Sequence, residues 1–153
     1  MMNLASDVVS RLQGKTLCTA ESCTGGGIGA AITAVAGASA VYKGGIISYC
    51  NEIKKAILAV PESVLSTCGA VSAETAEAMA RGARKVMDTD IAVSVTGLAG
   101  PSGDDFGNPV GTVYIGYADD RRCISQRFLF VGDREAVRKQ ATEAALTIIL
   151  QYA

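Results

Sequence analysis

The spacing of apolar and polar positions divides the chain into alternating helical and extended segments. Apolar residues recur every three or four positions in the predicted helices and form short runs or alternate in the predicted strands. The predicted helices cover residues 3–13, 28–36, 52–59, a short piece between Pro61 and Gly69, residues 72–88, and a final helix capped by Asp133. The predicted strands cover residues 16–21, 45–49, 91–97, 112–118 and 123–131.

The same pattern predicts how the strands are arranged. Residues 91–97 form a continuous apolar run, which is typical of a central strand covered on both faces. Residues 112–118 and 123–131 alternate on either side of a polar turn, which predicts an antiparallel hairpin. The element order predicts an α/β fold: a three-layer α/β/α sandwich with a mixed, mainly parallel central sheet of about five strands, including the hairpin. At 153 residues, the chain suits one domain spanning residues 1–153.

The amino-acid composition limits the catalytic groups, the metal ligands and the partners that this chain can use. The chain has no histidine, so the commonest general base and the commonest transition-metal ligand are both missing. The 14 basic and 15 acidic residues are scattered, which predicts no nucleic-acid partner. The apolar stretches are too short to span a membrane, so we expect a cytoplasmic protein with no membrane partner. Five cysteines without a CxxC pair indicate free thiols rather than a disulfide or zinc framework, and we expect no metal and no cofactor.

Clusters of small polar residues follow three predicted strands, at 21–26, 48–51 and 96–101. Ligands of open α/β sheets bind where strand carboxyl ends meet helix starts, so these clusters predict one site. In the first cluster, a glycine turn leading into a helix offers N–H groups and a helix dipole to an anion or oxyanion. Ser22 is therefore a candidate nucleophile. The alternative is that Ser22 or Thr24 only caps the helix.

A candidate general base follows the second cluster. If Asn51 caps the helix at 52–59, Lys54 and Lys55 fall in its first turn, where the helix dipole disfavours cations. A lysine placed there and partly desolvated should have a lowered pKa and could act as a base in place of histidine. The spacing does not decide which lysine faces the sheet, and two solvated lysines are the alternative.

Two arginines and one cysteine complete the candidates. Arg134 and Arg138 lie one helical turn apart at the start of the last helix, where a guanidinium suits a phosphate or carboxylate. A surface ion pair, for example with Glu135 or Asp133, is the alternative. Cys23 rivals Ser22 as nucleophile, but without a histidine to lower its pKa a buried, unreactive thiol is the simpler expectation.

Six blocks of sequence are distinctive in combination. They are AESCTGG at 20–26, GGIISYCNEIK at 44–54, GAVSAETAEAMARGAR at 69–84, VTGLAGP at 95–101, PVGTVYIG at 109–116 and FVGDREAVR at 130–138. Together they resemble the CinA C-terminal domain family, over about residues 5–151 and in the family's order. The characterised members are nicotinamide-nucleotide amidases. The resemblance therefore implies a stand-alone amidase that converts nicotinamide mononucleotide to nicotinate mononucleotide and ammonia in pyridine nucleotide salvage.

The resemblance also implies residue roles. Ser22 falls on the family's nucleophile, Lys54 rather than Lys55 on its base, and Tyr49 on a further catalytic residue, while Cys50 replaces the usual serine. The expected substrate-binding residues are Thr24, Gly25, Gly26, Ser39, Ser48, Asn51, Thr96, Gly97 and Arg134. Arg134 is expected on the 5'-phosphate. The expected partners are this small-molecule substrate and a second copy of the chain in a homodimer.

The residue chemistry and the resemblance lead to one hypothesis with two alternatives. In the hypothesis, Lys54 deprotonates Ser22, and N–H groups around Thr24 to Gly26 hold the oxyanion. The first alternative is a non-catalytic nucleotide-binding or regulatory module that keeps the cleft. The second is an amidase for another small phosphorylated carboxamide that uses the same Ser-Lys chemistry.

Overall fold

The computed structural model, which describes residues 3–153, follows the predicted order of helices and strands. The helices are α1 (Leu4–Arg11), α2 (Gly27–Thr33), α3 (Asn51–Ala56), α4 (Glu62–Cys68), α5 (Ala73–Met87) and α6 (Arg134–Tyr152). The strands are β1 (Leu17–Glu21), β2 (Tyr42–Ile47), β3 (Ile91–Gly97), β4 (Thr112–Ala118) and β5 (Cys123–Leu129). One short 3-10 helix, Ala38–Ala40, precedes β2.

The five strands form one mixed sheet in the order β2-β1-β3-β4-β5. The strands β2, β1 and β3 are parallel, with Glu21 at the end of β1 opposite Ile47 on one side and Val95 on the other. The strands β3, β4 and β5 pair antiparallel, and β4 and β5 form the predicted hairpin. In this order β2 lies on one side of β1, and β3 lies on the other. The strand order therefore reverses at β1. Such a reversal opens a crevice at the strand carboxyl ends.

Helices cover both faces of the sheet and confirm the three-layer α/β/α sandwich. On one face, α1, α2 and α6 pack around a core that includes Val93 and Val95 of β3. On the other face, α5 and α4 pack around a second core that includes Ala92. The first six residues of β3 are buried, as predicted for a central strand. Among residues 3–153, none of the helices combines the length and the hydrophobicity that crossing a membrane requires.

Several predicted boundaries were wrong. The second strand begins at Tyr42 rather than 45 and ends at Ile47 rather than 49. Its Gly-Gly pair belongs to the strand, because Gly44 and Gly45 pair with Cys18 and Thr19 of β1. Glycine is required at position 45, since a Cβ there would lie 2.4 Å from the Thr19 hydroxyl and 2.6 Å from the Tyr42 hydroxyl. The helix predicted at 28–36 covers Gly27–Thr33, and the one predicted at 52–59 covers Asn51–Ala56. The last strand ends at Leu129 instead of 131.

Candidate active site

A cleft of about 260 Å³ opens at the carboxyl ends of β1, β2 and β3, where the three polar clusters were predicted to meet. Seven of the residues singled out in the sequence line it: Ser22, Tyr49, Asn51, Lys54, Thr96, Gly97 and Arg134. Cys23 lines it as well. The structure therefore brings together side chains that the chain separates by more than a hundred positions.

Ser22 and Lys54 are in direct contact within this cleft. The Nζ of Lys54 lies 3.0 Å from the Oγ of Ser22 and donates to the backbone carbonyl of Ser48 at 2.8 Å. Only 2% of Lys54 is exposed, and no carboxylate of residues 3–153 pairs with it. Burial lowers the pKa of Lys54 from 10.5 to about 8. This lysine therefore releases its proton more readily than an exposed lysine.

The two neighbouring lysines have different environments, which the spacing had left open. Lys55 is half exposed and forms an ion pair with Glu62 at 3.1 Å, so it points away from the cleft. The prediction that both lysines lie in the first turn of a helix capped by Asn51 was wrong. The cap position is Cys50, Asn51 is the first helical residue, and both lysines fall in the last turn of the six-residue α3. The helix start therefore does not account for the lowered pKa of Lys54, and desolvation does.

The start of α2 already holds an anion, the buried carboxylate of Glu21. Its Oε1 accepts from the Thr24 hydroxyl and the Ile28 N–H, and its Oε2 accepts from the Thr19 hydroxyl and the Gly29 N–H. Neither Ser22 nor Thr24 caps the helix, because the cap position is Gly26 and no side chain bonds there. The first-turn N–H groups of α2 are therefore occupied by the protein itself and are closed to a substrate anion.

Two successive turns connect Ser22 to α2. The N–H of Gly25 donates to the carbonyl of Ser22 at 3.1 Å, and the N–H of Gly27 donates to the carbonyl of Thr24 at 3.0 Å. Gly25 and Gly26 have φ values of 59° and 101°, a left-handed conformation that favours glycine. The N–H groups of Cys23 and Thr24, in the middle of the first turn, donate to no other residue between 3 and 153. These two groups remain available for an oxyanion beside Ser22.

Arg134 closes one side of the cleft. Its Nη1 donates to the carbonyl of Gly100, and its Nη2 donates to the Tyr49 hydroxyl at 3.0 Å. These bonds join the start of α6, the loop after β3 and the segment after β2. A guanidinium carries five N–H donors, so three remain for a ligand. Tyr49 is 60% exposed at the rim of the same cleft.

Two predicted hydroxyls are buried near the cleft. The Thr96 hydroxyl lines it and donates to the carbonyl of Ala70 at 2.7 Å, which joins the end of β3 to the segment before α5. Ser48 does not line it, and its Oγ has no hydrogen-bond partner within residues 3–153. The backbone of Ser48 is nevertheless close to the chemistry, because its carbonyl accepts from Lys54.

Besides Ser48, four predicted binding residues lie outside the cleft lining. Thr24, Gly25 and Gly26 form the turn behind Ser22, and the Thr24 side chain is buried on Glu21. Ser39 is exposed in the 3-10 helix before β2, at the end of that strand opposite the cleft. The three turn residues can therefore act only through their backbone, and Ser39 is remote from Ser22.

The sequence reasoning missed part of the cleft wall. Ala70 and Val71 precede α5, and Ser102 belongs to the loop after β3, whereas Leu98 and Ala99 of the same wall fall within the predicted cluster at 96–101. Ala70, Val71 and Ser102 are small or apolar, and nothing in their spacing distinguished them. The polar loop at 100–109 did provide one: its Asn108 donates to the carbonyl of Val71 at 3.1 Å and so helps hold this wall together.

Cys23 lies beside the proposed nucleophile but in an unreactive environment. Burial raises the pKa of its thiol from 9.0 to about 11. The thiolate, which is the reactive form, is therefore scarce at neutral pH. Ser22, in contact with a lysine of lowered pKa, is the better placed of the two nucleophile candidates. Within residues 3–153, no group of three or more cysteine, aspartate and glutamate side chains is arranged to hold a metal ion.

The fold and the site define an α/β domain with a contacting serine and lysine at the carboxyl ends of its parallel strands. The chain belongs to the CinA C-terminal domain family, whose sequence model matches residues 1–153. A CinA-like protein of Geobacter sp. (strain M21) is 51% identical over 93% of this chain and 34% of its own length. The chain spans about a third of such CinA-like relatives; a second, from Geobacter sulfurreducens, is covered over 36% of its length.

A shorter relative and several solved structures are also similar. The nicotinamide-nucleotide amidohydrolase PncC of Pseudomonas putida is 50% identical over 87% of this chain and 83% of its own length. The crystal structure of a competence-damaged protein (CinA) superfamily protein from Escherichia coli superposes with a TM-score of 0.96 at 35% identity, covering 99% of this chain and 89% of the other. The crystal structure of a competence/damage inducible protein from Agrobacterium tumefaciens superposes with a TM-score of 0.93 at 36% identity, covering 97% and 92%. These similarities confirm the fold that the sequence predicted.

Proposed function

We propose that this chain is an amidase that hydrolyses the carboxamide of nicotinamide mononucleotide to give nicotinate mononucleotide and ammonia. The observation that carries the proposal is the 3.0 Å contact between the Nζ of buried Lys54 and the Oγ of Ser22. The substrate is suggested by the Pseudomonas putida relative, whose name specifies a nicotinamide nucleotide and whose length this chain largely covers.

In the first half of the reaction, Ser22 becomes acylated. Neutral Lys54 takes the proton from the Ser22 hydroxyl, and the oxygen attacks the amide carbon. The resulting oxyanion accepts hydrogen bonds from the N–H groups of Cys23 and Thr24. Protonated Lys54 then gives its proton to the leaving nitrogen, the C–N bond breaks, and ammonia departs from an ester on Ser22.

In the second half, water repeats the cycle. Lys54 takes a proton from water, the hydroxide attacks the ester carbon, and the same N–H groups hold the second oxyanion. The Ser22 oxygen leaves with the proton returned by Lys54, which releases the acid. The Ser48 carbonyl keeps the Nζ of Lys54 in place throughout, because it accepts one of the lysine's hydrogen bonds at 2.8 Å.

Arg134 and Tyr49 are proposed to hold the substrate at the cleft rim. Arg134 is exposed, lines the cleft and keeps unused N–H donors, which suits the 5'-phosphate. Tyr49 is oriented by the same guanidinium. Exposed Asn51, buried Thr96 and the backbone at Gly97 line the same cleft, where the ribose and the carboxamide would contact the protein.

The decisive experiment measures ammonia release from nicotinamide mononucleotide by the purified protein and by matched variants. Ser22→Ala is expected to lose at least about 10³-fold in rate, and Lys54→Met at least about 10²-fold. Lys55→Met is the control, because it removes an adjacent lysine that points away from the cleft. Unchanged ammonia release by Ser22→Ala would contradict the mechanism, and the absence of release by the unmodified protein would contradict the activity.

The phosphate is tested separately with nicotinamide riboside, which carries the same carboxamide without the phosphate. If Arg134 binds the phosphate, Arg134→Ala should raise KM for the mononucleotide and have little effect on the riboside. Equal rates for the mononucleotide and the riboside in the unmodified protein would instead favour an amidase that does not bind the phosphate.

A further inference from the structure

Arg138 contacts the turn behind the nucleophile and does not line the cleft. Its Nε donates to the carbonyl of Cys23 at 3.0 Å, and its Nη2 donates to the carbonyl of Thr24 at 3.1 Å. One edge of the planar guanidinium thus bonds two successive carbonyls immediately after Ser22. The cleft lining includes Arg134, one helical turn earlier, but not Arg138. The two arginines at the start of α6 therefore have different surroundings.

The charge of Arg138 is directed onto these peptide groups. No carboxylate of residues 3–153 pairs with it, so the ion pair with Glu135 that the sequence left open is not formed. A hydrogen bond to a charged donor is stronger than one between neutral groups, and it polarises the groups bonded in series with it. The carbonyls of Cys23 and Thr24 therefore accept charge-assisted hydrogen bonds from the guanidinium of Arg138.

The orientation of the two carbonyls fixes the direction of the adjoining N–H groups. In a trans peptide, the C=O and the following N–H point in opposite directions. With the Cys23 carbonyl held toward α6, the Thr24 N–H points away from Arg138. With the Thr24 carbonyl held the same way, the Gly25 N–H points back to the Ser22 carbonyl and closes the turn at 3.1 Å.

We propose that Arg138 is a positioning residue that fixes and polarises the Thr24 N–H, one of the two groups proposed to bind the oxyanion, and supports the other, that of Cys23, through the Gly25 N–H bonded to the Ser22 carbonyl. This inference rests on the proposed amidase function, in which Ser22 is the nucleophile and an oxyanion develops on the group that it attacks. Arg138 acts through the turn and touches neither the substrate nor the reacting atoms. Its removal should therefore slow the chemical step while leaving substrate binding unchanged.

The test compares the steady-state kinetics of Arg138→Ala, Arg138→Lys and Arg134→Ala on nicotinamide mononucleotide. Loss of one oxyanion donor typically costs about 10²–10³ in kcat, so loosening the turn should cost at least about 10-fold. We expect Arg138→Ala to lower kcat with KM unchanged, and Arg138→Lys to restore only part of the rate, because an ammonium cannot bond both carbonyls as a fork.

Arg134→Ala should instead raise KM. Lys139→Ala is the control, since it removes the adjacent cation of α6, whose side chain forms no hydrogen bond or ion pair within residues 3–153.

Two further measurements separate positioning from general destabilisation. Free guanidinium at millimolar concentration should raise the rate of Arg138→Ala and leave Lys139→Ala unchanged, because the site is open to solvent. A serine-reactive fluorophosphonate reports the reactivity of Ser22 without any nicotinamide substrate, and Arg138→Ala should be labelled more slowly than Lys139→Ala. The labelling rate keeps the inference testable even if the unmodified protein releases no ammonia, a result that would contradict only the proposed function.

The inference is overturned by either of two results. If Arg138→Ala raises KM at constant kcat, Arg138 binds substrate. If Arg138→Ala keeps both the full kcat and the full labelling rate, the turn does not depend on this arginine. Thermal unfolding shows whether each variant is folded. If Arg138→Ala is unfolded, the kinetics of Arg138→Lys are used instead.

Discussion

The Nζ of Lys54 lies 3.0 Å from the Oγ of Ser22, although 32 positions separate the two residues in the chain. Ser22 directly follows β1, and Lys54 reaches it from α3, the helix that follows the neighbouring parallel strand β2. A backbone carbonyl, that of Ser48, orients the lysine, and no carboxylate of residues 3–153 pairs with it. Because no anion stabilises the charged form of Lys54, its burial favours the neutral amine. The neutral amine is the form that a general base requires.

We predict that activity depends on pH through Lys54. Because burial lowers its pKa to about 8, most Lys54 is protonated at pH 6 and neutral above pH 8. The value of kcat/KM should therefore rise about tenfold per pH unit at low pH and level off near pH 8. The measurement is ammonia release as a function of pH. A profile that is flat between pH 6 and 9 contradicts Lys54 as the base.

We predict that Lys54→Met is inactive but at least as stable as the unmodified protein at pH 7. The folded protein must bury an ammonium below about pH 8, whereas methionine fills a similar volume without that cost. Between about pH 8 and 10.5, the unfolded chain binds a proton that the folded protein has released, so the unmodified protein gains stability as pH rises. Urea denaturation at pH 7 and 10 should show a free energy of unfolding that changes more favourably with pH in the unmodified protein and in Lys55→Met than in Lys54→Met, since the opposing effect of Cys23 is common to all three.

We predict that Cys23→Ala keeps most of the activity. Its thiol has a pKa of about 11, so little thiolate exists near neutral pH, and its proposed contribution comes from its backbone N–H, which alanine retains. The cost should be a small loss of stability from a cavity in the core. The check is ammonia release by Cys23→Ala and by the unmodified protein after treatment with a thiol reagent. Complete loss of activity in Cys23→Ala, with the fold intact, makes Cys23 the nucleophile.

The hydrophobic pattern predicted most of the fold, and the polar clusters at the ends of strands predicted the location of the site. The apolar run at 91–97 indicated a strand buried on both faces, and β3 is the middle strand of the sheet. The polar clusters after three strands converge because β2, β1 and β3 are parallel and adjacent. Where the pattern was weak, as at Gly44 and Gly45, the boundary was wrong, since glycine carries no side chain to reveal which face is buried.

Side-chain direction was the part that spacing alone did not determine. Lys54 and Lys55 are adjacent on a six-residue helix, too short for an amphipathic pattern to distinguish them. Arg134 and Arg138 share a helix face, yet one lines the cleft and the other bonds the turn behind it. These differences depend on tertiary contacts with Ser22 and Cys23, which lie far away in the sequence.

We predict that Glu21→Gln destabilises the protein despite being nearly isosteric. Each carboxylate oxygen accepts from one threonine hydroxyl and one backbone N–H of α2, so the amide nitrogen of glutamine would face a backbone N–H. That buried N–H would lose its acceptor, which costs about 1–3 kcal/mol. Urea denaturation measures the loss, and hydrogen exchange should be faster at Ile28 or Gly29. Glu62→Gln is the control, because Glu62 is exposed and its ion pair is worth about 1 kcal/mol or less.

We predict that Gly82→Ala destabilises the protein and lowers its activity, although alanine normally stabilises a helix by about 1 kcal/mol relative to glycine. A Cβ at Gly82 would lie 1.9 Å from the carbonyl oxygen of Leu58, so α5 and the segment after α3 must separate. That segment is bonded to the base-bearing helix, since the Val60 N–H donates to the Lys54 carbonyl at 3.1 Å. The displacement should therefore lengthen the contact between Lys54 and Ser22 and lower kcat. Val86→Ala, an exposed change in the same helix, should leave both stability and kcat nearly unchanged. Greater stability together with full activity in Gly82→Ala would show that this close approach does not position Lys54.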